Sequence, residues 1–309
     1  MNEQTLKVLQ PHITATEHTS REDWLEARKG STGASAAAAL FGVGWSTPLR
    51  EFAIATGVME PPAETEAMRM GHVMQPVIRD LYEEETGDKT QEWGDWTILR
   101  NAEFPHMHVT LDYPIMQANG KHKAPGVLEC KNVGPYMVHE WDEGEVPLYV
   151  QMQVQQQLAI TSWEWGAVAA ILAGGRFVWK IVERHEDFIQ ELAIRADRFH
   201  ESVKAGIPPE PTARDGEVLR MLYPKHVEGK TVELPIELIA CTDRFTRYKR
   251  GVKTLEKHIA QDENILKAAF GDAEFGVFPS GLRYSCRQQV RAAHAVKAST
   301  FRVLRRLKT

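Results

Sequence analysis

The sequence predicts an α/β fold in which a central mixed β-sheet is flanked by helices. Two observations predict this class. The first third of the 309 residues carries the start and stop signals of helices, whereas the middle third changes to short segments rich in β-branched residues. Because helical segments lie between these strand-like segments, the sheet is expected to bury its faces against helices. A helical extension is predicted for the C-terminal third.

The helices of the first third are predicted from their capping residues. Ser20, with Asp23 three residues later, predicts a helix that extends through Arg28. Thr47, which precedes a proline, fits an N-cap and predicts the start of a second helix. The segment EAMRMGHVMQPVIRDLYEEETG predicts a longer helix with a local break or kink at Pro76.

Short segments rich in β-branched residues, most of them bounded by Gly, Pro or Asn, predict the strands of the sheet. They are WTILR (96–100), HMHVTLDY (106–113), GVLECKNV (126–133), WGAVAAIL (165–172) and FVWKIVE (177–183). Helices are predicted between and after them, over 146–161 and 185–204. Strands that alternate with helices in this way are typical of an α/β core.

The chain is predicted to consist of a core domain over 1–205, a linker over 206–216 and a helical C-terminal extension over 217–309 that ends in a basic tail. The linker prediction rests on the composition of GIPPEPTARDG. Within the extension, apolar residues repeat at three- and four-residue spacing from Cys241 to Leu266, which predicts a helix of about seven turns. This apolar stripe either packs within the protein or joins helices of different molecules.

Composition excludes several classes of protein. No segment approaches the roughly 18 consecutive apolar residues of a membrane-spanning helix. The N-terminal segment lacks the basic start and the apolar run of a secretory signal. The three cysteines are far apart and form no CxxC pair, which argues against a thiolate zinc site or a disulfide framework and favours the cytoplasm.

Charge is distributed unevenly along a chain whose net charge is −5. Acidic residues are absent after Glu274, whereas the tail beyond it is rich in arginine and lysine. Such a tail predicts a local phosphate-binding surface, with DNA contacts from Arg302, Arg305 and Arg306. The alternative is a basic tail that only improves solubility.

The segment LDYPIMQANGKHKAPGVLECK contains the residues that predict chemistry. Asp112 ends one predicted strand, and Glu129 and Lys131 lie two positions apart in the next, so their side chains point to the same face. Two carboxylates form a hard oxygen site for magnesium or manganese, to which the backbone carbonyl of Cys130 can add a ligand. The lysine would stabilise negative charge in a transition state. A structural ion pair is the alternative interpretation.

Four stretches of the chain carry a family resemblance when they are taken in order. They are RKGSTGASAAAALFG (28–42), MRMGHVMQPVIRDLYEEETG (68–87), TLDYPI with VLECKN, and VPLYVQMQVQQQLAIT followed by GAVAAILAGG. In this order they resemble the YqaJ-like viral recombinases, a group that includes phage lambda exonuclease and belongs to the PD-(D/E)XK nuclease superfamily. The resemblance covers roughly residues 20–190. It implies a restriction-endonuclease-like core and makes 1–205 the nuclease domain.

The resemblance implies a role for each residue of the predicted centre. Asp112 and Glu129 are implied as metal ligands, and Lys131 as the catalytic lysine. One or two magnesium ions per site are implied, with manganese as a substitute. Arg28 and Ser35 are implied to contact the 5′-phosphate or the nearby strand, since a guanidinium binds phosphate through two parallel hydrogen bonds.

Two helices carry further candidates. Tyr149, Gln153 and Gln157 share one helical face at i, i+4 and i+8. The resemblance implies that both glutamines act in the catalytic centre and that the tyrosine contacts DNA, whereas a solvent-facing polar helix face is the alternative. The helical glutamate of the family is replaced by Gln75, a weaker metal ligand, and His72 one turn earlier is a candidate replacement ligand.

The resemblance further implies a magnesium-dependent 5′-to-3′ exonuclease that degrades one strand of linear double-stranded DNA and leaves 3′ overhangs for phage-type homologous recombination. It implies a ring-like homo-oligomer, often a trimer, with a single-strand annealing protein as partner. A phage- or prophage-encoded protein in the cytoplasm of a bacterial host is expected. An endonuclease on the same core and a non-catalytic DNA-end-binding module are the alternatives.

Overall fold

The computed structural model describes residues 9–141 and 145–290. Outside them lies the end of the basic tail, with the predicted DNA contacts Arg302, Arg305 and Arg306. The chain divides into two compact units, of which the first ends at Pro224 and the second begins at Lys225. None of the described helices is both long and apolar enough to cross a membrane.

The first two helices of the first unit begin where capping residues predict them. The helices of this unit are α1 (Arg21–Ala27), α2 (Pro48–Ala55), α3 (Glu66–Thr86), α4 (Leu148–Thr161), α5 (Glu186–Ala205) and α6 (Gly216–Leu222), with 3-10 helices at Ala34–Phe41 and Pro135–Trp141. Ser20 and Thr47 cap α1 and α2, since each side chain accepts a backbone hydrogen bond three residues later. The expected break at Pro76 does not divide α3, because the proline lies on its exposed side, where water can satisfy the freed carbonyl.

The strands of the first unit form the predicted mixed sheet. They are β1 (Ile13–Glu17), β2 (Thr32–Gly33), β3 (Lys89–Thr90), β4 (Thr97–Asn101), β5 (Met107–His108), β6 (Tyr113–Gln117), β7 (Gly126–Val133), β8 (Trp165–Leu172) and β9 (Arg176–Glu183). A five-stranded sheet has the order β3-β6-β7-β8-β9. β7 and β8 run parallel, and the other neighbouring pairs run antiparallel. The predicted fold class is thereby confirmed.

Helices cover both faces of the sheet. On one face, α4 packs against the sheet through a cluster that includes Val154, Leu158 and Val168. On the other face, α3 packs through Ile78 and Tyr82. Because both faces of β8 are covered, all eight of its residues are buried. α4 also forms the crossover between β7 and β8, which is needed because parallel neighbours cannot be joined by a tight turn.

The single strand predicted over 106–113 is wrong, because the chain changes sheets within it. β5 pairs in parallel with β2, and Val109 forms an isolated bridge with Leu99. The chain then joins the five-stranded sheet at β6, which begins at Tyr113 and forms an antiparallel hairpin with β7. Asp112 therefore lies immediately before a strand rather than at the end of one.

The predicted linker over 206–216 lies within the first unit. Arg214 donates hydrogen bonds to backbone carbonyls of the loop before α2, and buried Asp215 accepts one from Thr47. α6 follows directly and packs against α2. Proline and glycine in this segment predict a flexible connection, but its polar residues anchor it, so the division between the units falls after Pro224.

The second unit contains one long helix and a hairpin. α7 (Leu238–Phe270) has 33 residues, and β10 (Phe275–Val277) pairs antiparallel with β11 (Arg283–Ser285). α7 confirms the helix that the apolar spacing predicts. It stops at Gly271, whose φ of +56° is a conformation that favours glycine.

We expect the packing of α6 on α2 to stabilise the first unit. Val218 is 2% exposed and packs with Leu49 and Ala53, whereas Met221 in the same helix is 44% exposed. Val218→Ala should lower the free energy of unfolding by about 2 kcal/mol, because it removes buried methyl groups and leaves a cavity. Met221→Ala should change it by less than about 0.5 kcal/mol. Chemical denaturation measures both variants, and a loss for Val218→Ala as small as that for Met221→Ala would show that α6 does not contribute to the folded unit.

Candidate active site

Glu129 lies at the centre of a group of polar side chains from β7 and α4. It is 3% exposed. Its Oε1 accepts hydrogen bonds from Lys131 Nζ at 2.6 Å and from Gln153 Nε2 at 2.6 Å. Its Oε2 accepts one from Gln157 Nε2 at 2.7 Å. Each oxygen of the buried carboxylate therefore has a donor, which is the condition for burying a charge.

Asp112 is held by the backbone of β7 and by α3. Its Oδ2 accepts a hydrogen bond from the backbone N–H of Cys130 at 2.8 Å, and its Oδ1 accepts one from Gln75 Nε2 at 2.9 Å. Burial and the neighbouring charge of Glu129 raise the pKa of Asp112 to about 8. Since the N–H and C=O of one strand residue point to the same edge, the Cys130 carbonyl also points toward Asp112.

Lys131 supplies the positive charge of the centre. Its Nζ donates hydrogen bonds to Glu129 Oε1 at 2.6 Å and to Gln153 Oε1 at 2.9 Å. Burial lowers the pKa of Lys131, but the charges of Glu129 and Asp112 raise it by more, so the ammonium stays charged. With both carboxylates ionised, one positive charge faces two negative charges.

This donor set fits a divalent cation. Two carboxylates and a backbone carbonyl are the hard oxygen donors that magnesium takes, with water in the remaining positions. A cation would offset the negative charge that Lys131 leaves unbalanced, and that imbalance contributes to the raised pKa of Asp112. Within residues 9–141 and 145–290, no group of three or more His, Cys, Asp or Glu side chains can hold a metal. The backbone carbonyl and water would therefore complete the coordination.

The structure brings Gln75 to the site and leaves His72 outside it. Gln75 donates to Asp112 and so orients this carboxylate. His72 is exposed, and its Nε2 lies 4.0 Å from Glu64 Oε1. Sequence analysis missed Asp95, whose negative charge contributes to the raised pKa of Asp112. Asp95 lies in the loop before β4, and no spacing pattern connects it to the site.

The glutamines of α4 point into the protein. Gln153 and Gln157 both contact Glu129. Gln155 and Gln156 instead donate hydrogen bonds to backbone carbonyls of β9 and β2. Because residues 155–157 are buried, the alternative of a solvent-facing polar surface does not hold for them.

A second group of cations lies beside the 3-10 helix Ala34–Phe41. Arg28 Nε donates to His108 Nε2 at 3.0 Å, and Arg100 Nη1 donates to Ser31 Oγ at 2.9 Å. Burial and the two arginine charges lower the pKa of His108 to about 3, so this histidine stays neutral. In the described part of the chain, neither arginine forms an ion pair with a carboxylate. Sequence analysis missed Arg100 and His108, which no motif marks.

Ser35 and Tyr149 line a cavity of about 340 Å³ that Lys131 also lines. Ser35 is exposed on the 3-10 helix, whereas the tyrosine is half-buried. Burial and the nearby charge of Glu140 raise the pKa of Tyr149 to about 12, so its hydroxyl stays protonated. Trp45 forms part of the same wall and was not predicted from the sequence.

Residues 23–164 match the model of the YqaJ-like viral recombinase domain. The resemblance to the YqaJ-like viral recombinases is thereby confirmed. The matched segment spans the carboxylate pair, the lysine and the glutamines of α4. The chain is also 26% identical to the uncharacterised protein YqaJ of Bacillus subtilis (strain 168) over 267 residues, which cover 83% of this chain and 80% of that protein.

Solved structures are also similar to this chain. The alkaline exonuclease LHK-Exo of Laribacter hongkongensis matches with a TM-score of 0.50 and 20% identity, over 60% of this chain and 94% of that chain. A phage related exonuclease from Haemophilus somnus 129PT matches with a TM-score of 0.42 and 11% identity, over 57% of this chain and 96% of that chain. The likeness to LHK-Exo shows that the core has the PD-(D/E)XK fold.

The hydrogen bond from Gln157 to Glu129 leads to a stability prediction. Gln157→Leu removes a donor from a buried carboxylate, so the free energy of unfolding should fall by about 1.5–3 kcal/mol. Gln190 makes a bond of the same kind to exposed Glu186, at 2.8 Å, and serves as the control. Gln190→Leu should cost less than about 0.5 kcal/mol. Urea denaturation measures both changes, and equal losses would contradict the role of burial.

Proposed function

We propose that the protein is a magnesium-dependent exonuclease that degrades one strand of linear double-stranded DNA from its 5′ end and leaves a 3′ overhang. The pair formed by half-buried Asp112 and buried Glu129 beside Lys131 carries this proposal. Two carboxylates repel phosphate unless a cation lies between them, so the arrangement supports metal-assisted hydrolysis of a phosphodiester.

The exonuclease part of the proposal is supported by the relatives. LHK-Exo is named an alkaline exonuclease, and its structure is also known in complex with dAMP. A nucleoside monophosphate is the kind of product that cutting from a DNA end releases. The 5′-to-3′ direction and the 3′ overhang come from the resemblance to phage lambda exonuclease within the YqaJ-like viral recombinases.

Each residue of the centre has a distinct part in the proposed reaction. Asp112 and Glu129, with the Cys130 carbonyl, would hold one or two magnesium ions, for which manganese can substitute. A metal bound there would supply a water of lowered pKa and would neutralise charge on the scissile phosphate. Lys131 stabilises the negative charge that develops on the attacking oxygen and the phosphate. Gln153 Oε1 accepts a hydrogen bond from the lysine ammonium and holds it in place. Gln157 donates to the buried carboxylate of Glu129.

The region around Arg28 would bind the 5′-phosphate of the DNA end. Arg28 and Arg100 flank a neutral histidine. Neither forms an ion pair with a carboxylate among the described residues, although the charge of Glu51 acts on Arg28, so both guanidinium groups can bind a phosphate. The guanidinium of Arg28 offers parallel donors for two phosphate oxygens. Ser35 would add a hydroxyl from the 3-10 helix, and Tyr149 would contact the strand from the opposite helix.

The YqaJ-like viral recombinase domain supports a role in phage-type homologous recombination. We expect a ring-like homo-oligomer, a trimer by resemblance, that acts on double-stranded DNA ends. A single-strand annealing protein would bind the overhang that the reaction exposes. The expected setting is the cytoplasm of a bacterial host, with the protein encoded by a phage or prophage.

Gln75 supports one alternative function. An amide in place of a carboxylate binds metal weakly, so the site would bind DNA ends without cutting them. An endonuclease is the second alternative, because the core determines which bond is hydrolysed and not where on the DNA cutting begins. Digestion of linear and circular DNA separates these functions.

Linear duplex DNA with 5′-phosphates should be degraded with magnesium and remain intact with a chelator, whereas a covalently closed circle should remain intact in both. Lys131→Ala should lower the initial rate by about 10²–10³-fold, because it removes a charge aimed at the transition state. Lys180→Ala changes an exposed lysine of β9 and should leave the rate unchanged. Cutting of the circle would identify an endonuclease, and no cutting of either DNA would identify a binding module.

Arg28→Ala should remove a preference for phosphorylated ends. The initial rate on 5′-phosphate ends should fall by about 10- to 100-fold, while the rate on 5′-hydroxyl ends should change little. Arg28→Lys keeps the charge but not the paired donors and should give an intermediate rate. Arg198→Ala changes an exposed arginine of α5 and serves as the control. An equal loss on both kinds of end would show that Arg28 does not recognise the phosphate.

A further inference from the structure

Trp45 differs from every other tryptophan of the protein in its exposure. All eight tryptophans lie in the described residues, and Trp45 alone is exposed, at 73%. It lies in the loop 42–47 between the 3-10 helix Ala34–Phe41 and α2. Exposure of an indole to water is unfavourable, and aromatic side chains are common in the walls of ligand pockets.

The loop that carries Trp45 is held by a distant part of the chain. The Arg214 guanidinium donates hydrogen bonds to the carbonyls of Gly44 at 2.6 Å and Ser46 at 3.0 Å. The neighbouring Asp215 is buried and accepts a hydrogen bond from the N-cap residue of α2. Both residues that flank Trp45 are therefore fixed, so the indole can bind a ligand without the entropy cost of ordering the loop.

Trp45 forms an aromatic wall of the cavity of about 340 Å³ that Lys131 and Gln153 also line. Its ring centroid lies 6.3 Å from that of Tyr149, with the planes inclined at 73°, which is an edge-to-face contact. The cavity thus combines a flat apolar surface with an ammonium group. A ligand that joins an aromatic ring to an anion fits this combination, and a nucleotide is such a ligand.

We propose that Trp45 binds a nucleobase of the DNA strand by stacking, beside the phosphate that lies at Lys131. This proposal rests on the proposed nuclease function. The subsite would give the catalytic centre a second contact with the substrate. Small-molecule sites have volumes of about 300–1,000 Å³, so this cavity fits one nucleotide rather than a length of duplex. Every base has a π-face, so the subsite accepts any base. Arg214 is a positioning residue, because it holds the loop and does not line the cavity.

The test measures the binding of end-labelled duplex DNA. At the terminal or the second position of the 5′-phosphorylated strand, the DNA contains either a normal nucleotide or an abasic tetrahydrofuran analogue. Calcium replaces magnesium, so that a cation is bound by the carboxylate pair while no strand is cut. At one of the two positions, the wild-type protein should bind the base-containing DNA about 5- to 100-fold more tightly. Trp45→Ala should bind both forms with equal affinity. Trp45→Phe should keep most of the difference, because a phenyl ring still stacks.

Tyr223→Ala removes an exposed aromatic that does not line the cavity, so it should keep the full difference between base-containing and abasic DNA. Arg214→Ala should reduce that difference, because the loop is no longer held. The proposal is overturned if the wild-type protein does not distinguish the two forms at either position. It is also overturned if Trp45→Ala keeps the wild-type difference. A wild-type protein that distinguishes the forms but cuts no DNA with magnesium would contradict the nuclease function alone.

Discussion

Burial of the Glu129 carboxylate is the constraint on which the rest of the site depends. A charge that is 3% exposed needs hydrogen-bond donors, and here they come from Lys131 and from two glutamines of α4. α4 must therefore lie across β7 with polar residues directed inward. The same helix is the crossover that the parallel strands β7 and β8 require. One element thus serves the topology of the sheet and the electrostatics of the site.

The part of the site that depends on local periodicity can be predicted from the sequence. Glu129 and Lys131 share a face because side chains alternate along a strand, and Gln153 and Gln157 share a face because of the helical repeat. The structure brings these four side chains together. The mixed sheet can be predicted for the same reason, since its strands and covering helices differ in their apolar period.

Contacts between distant segments could not be predicted in this way. Arg100 and His108 meet because the chain changes sheets after β5, and no periodicity marks that change. His72 and Gln75 share a helix face by spacing, yet only Gln75 reaches Asp112. Composition also does not distinguish a flexible segment from an anchored one at 206–216. Proline and glycine are typical of both, and here hydrogen bonds anchor the segment.

The hydrogen bond from Arg214 to Gly44 joins positions that are 170 residues apart. A shortened gene that ended after α5 would encode every residue of the carboxylate centre. It would lack Arg214, which holds the loop 42–47 beside that centre. The same holds for chimaeras between relatives: a junction placed in the proline-rich segment would separate two pieces that are joined by hydrogen bonds. Exchange of the second unit should therefore use a junction after Pro224, where the first compact unit ends.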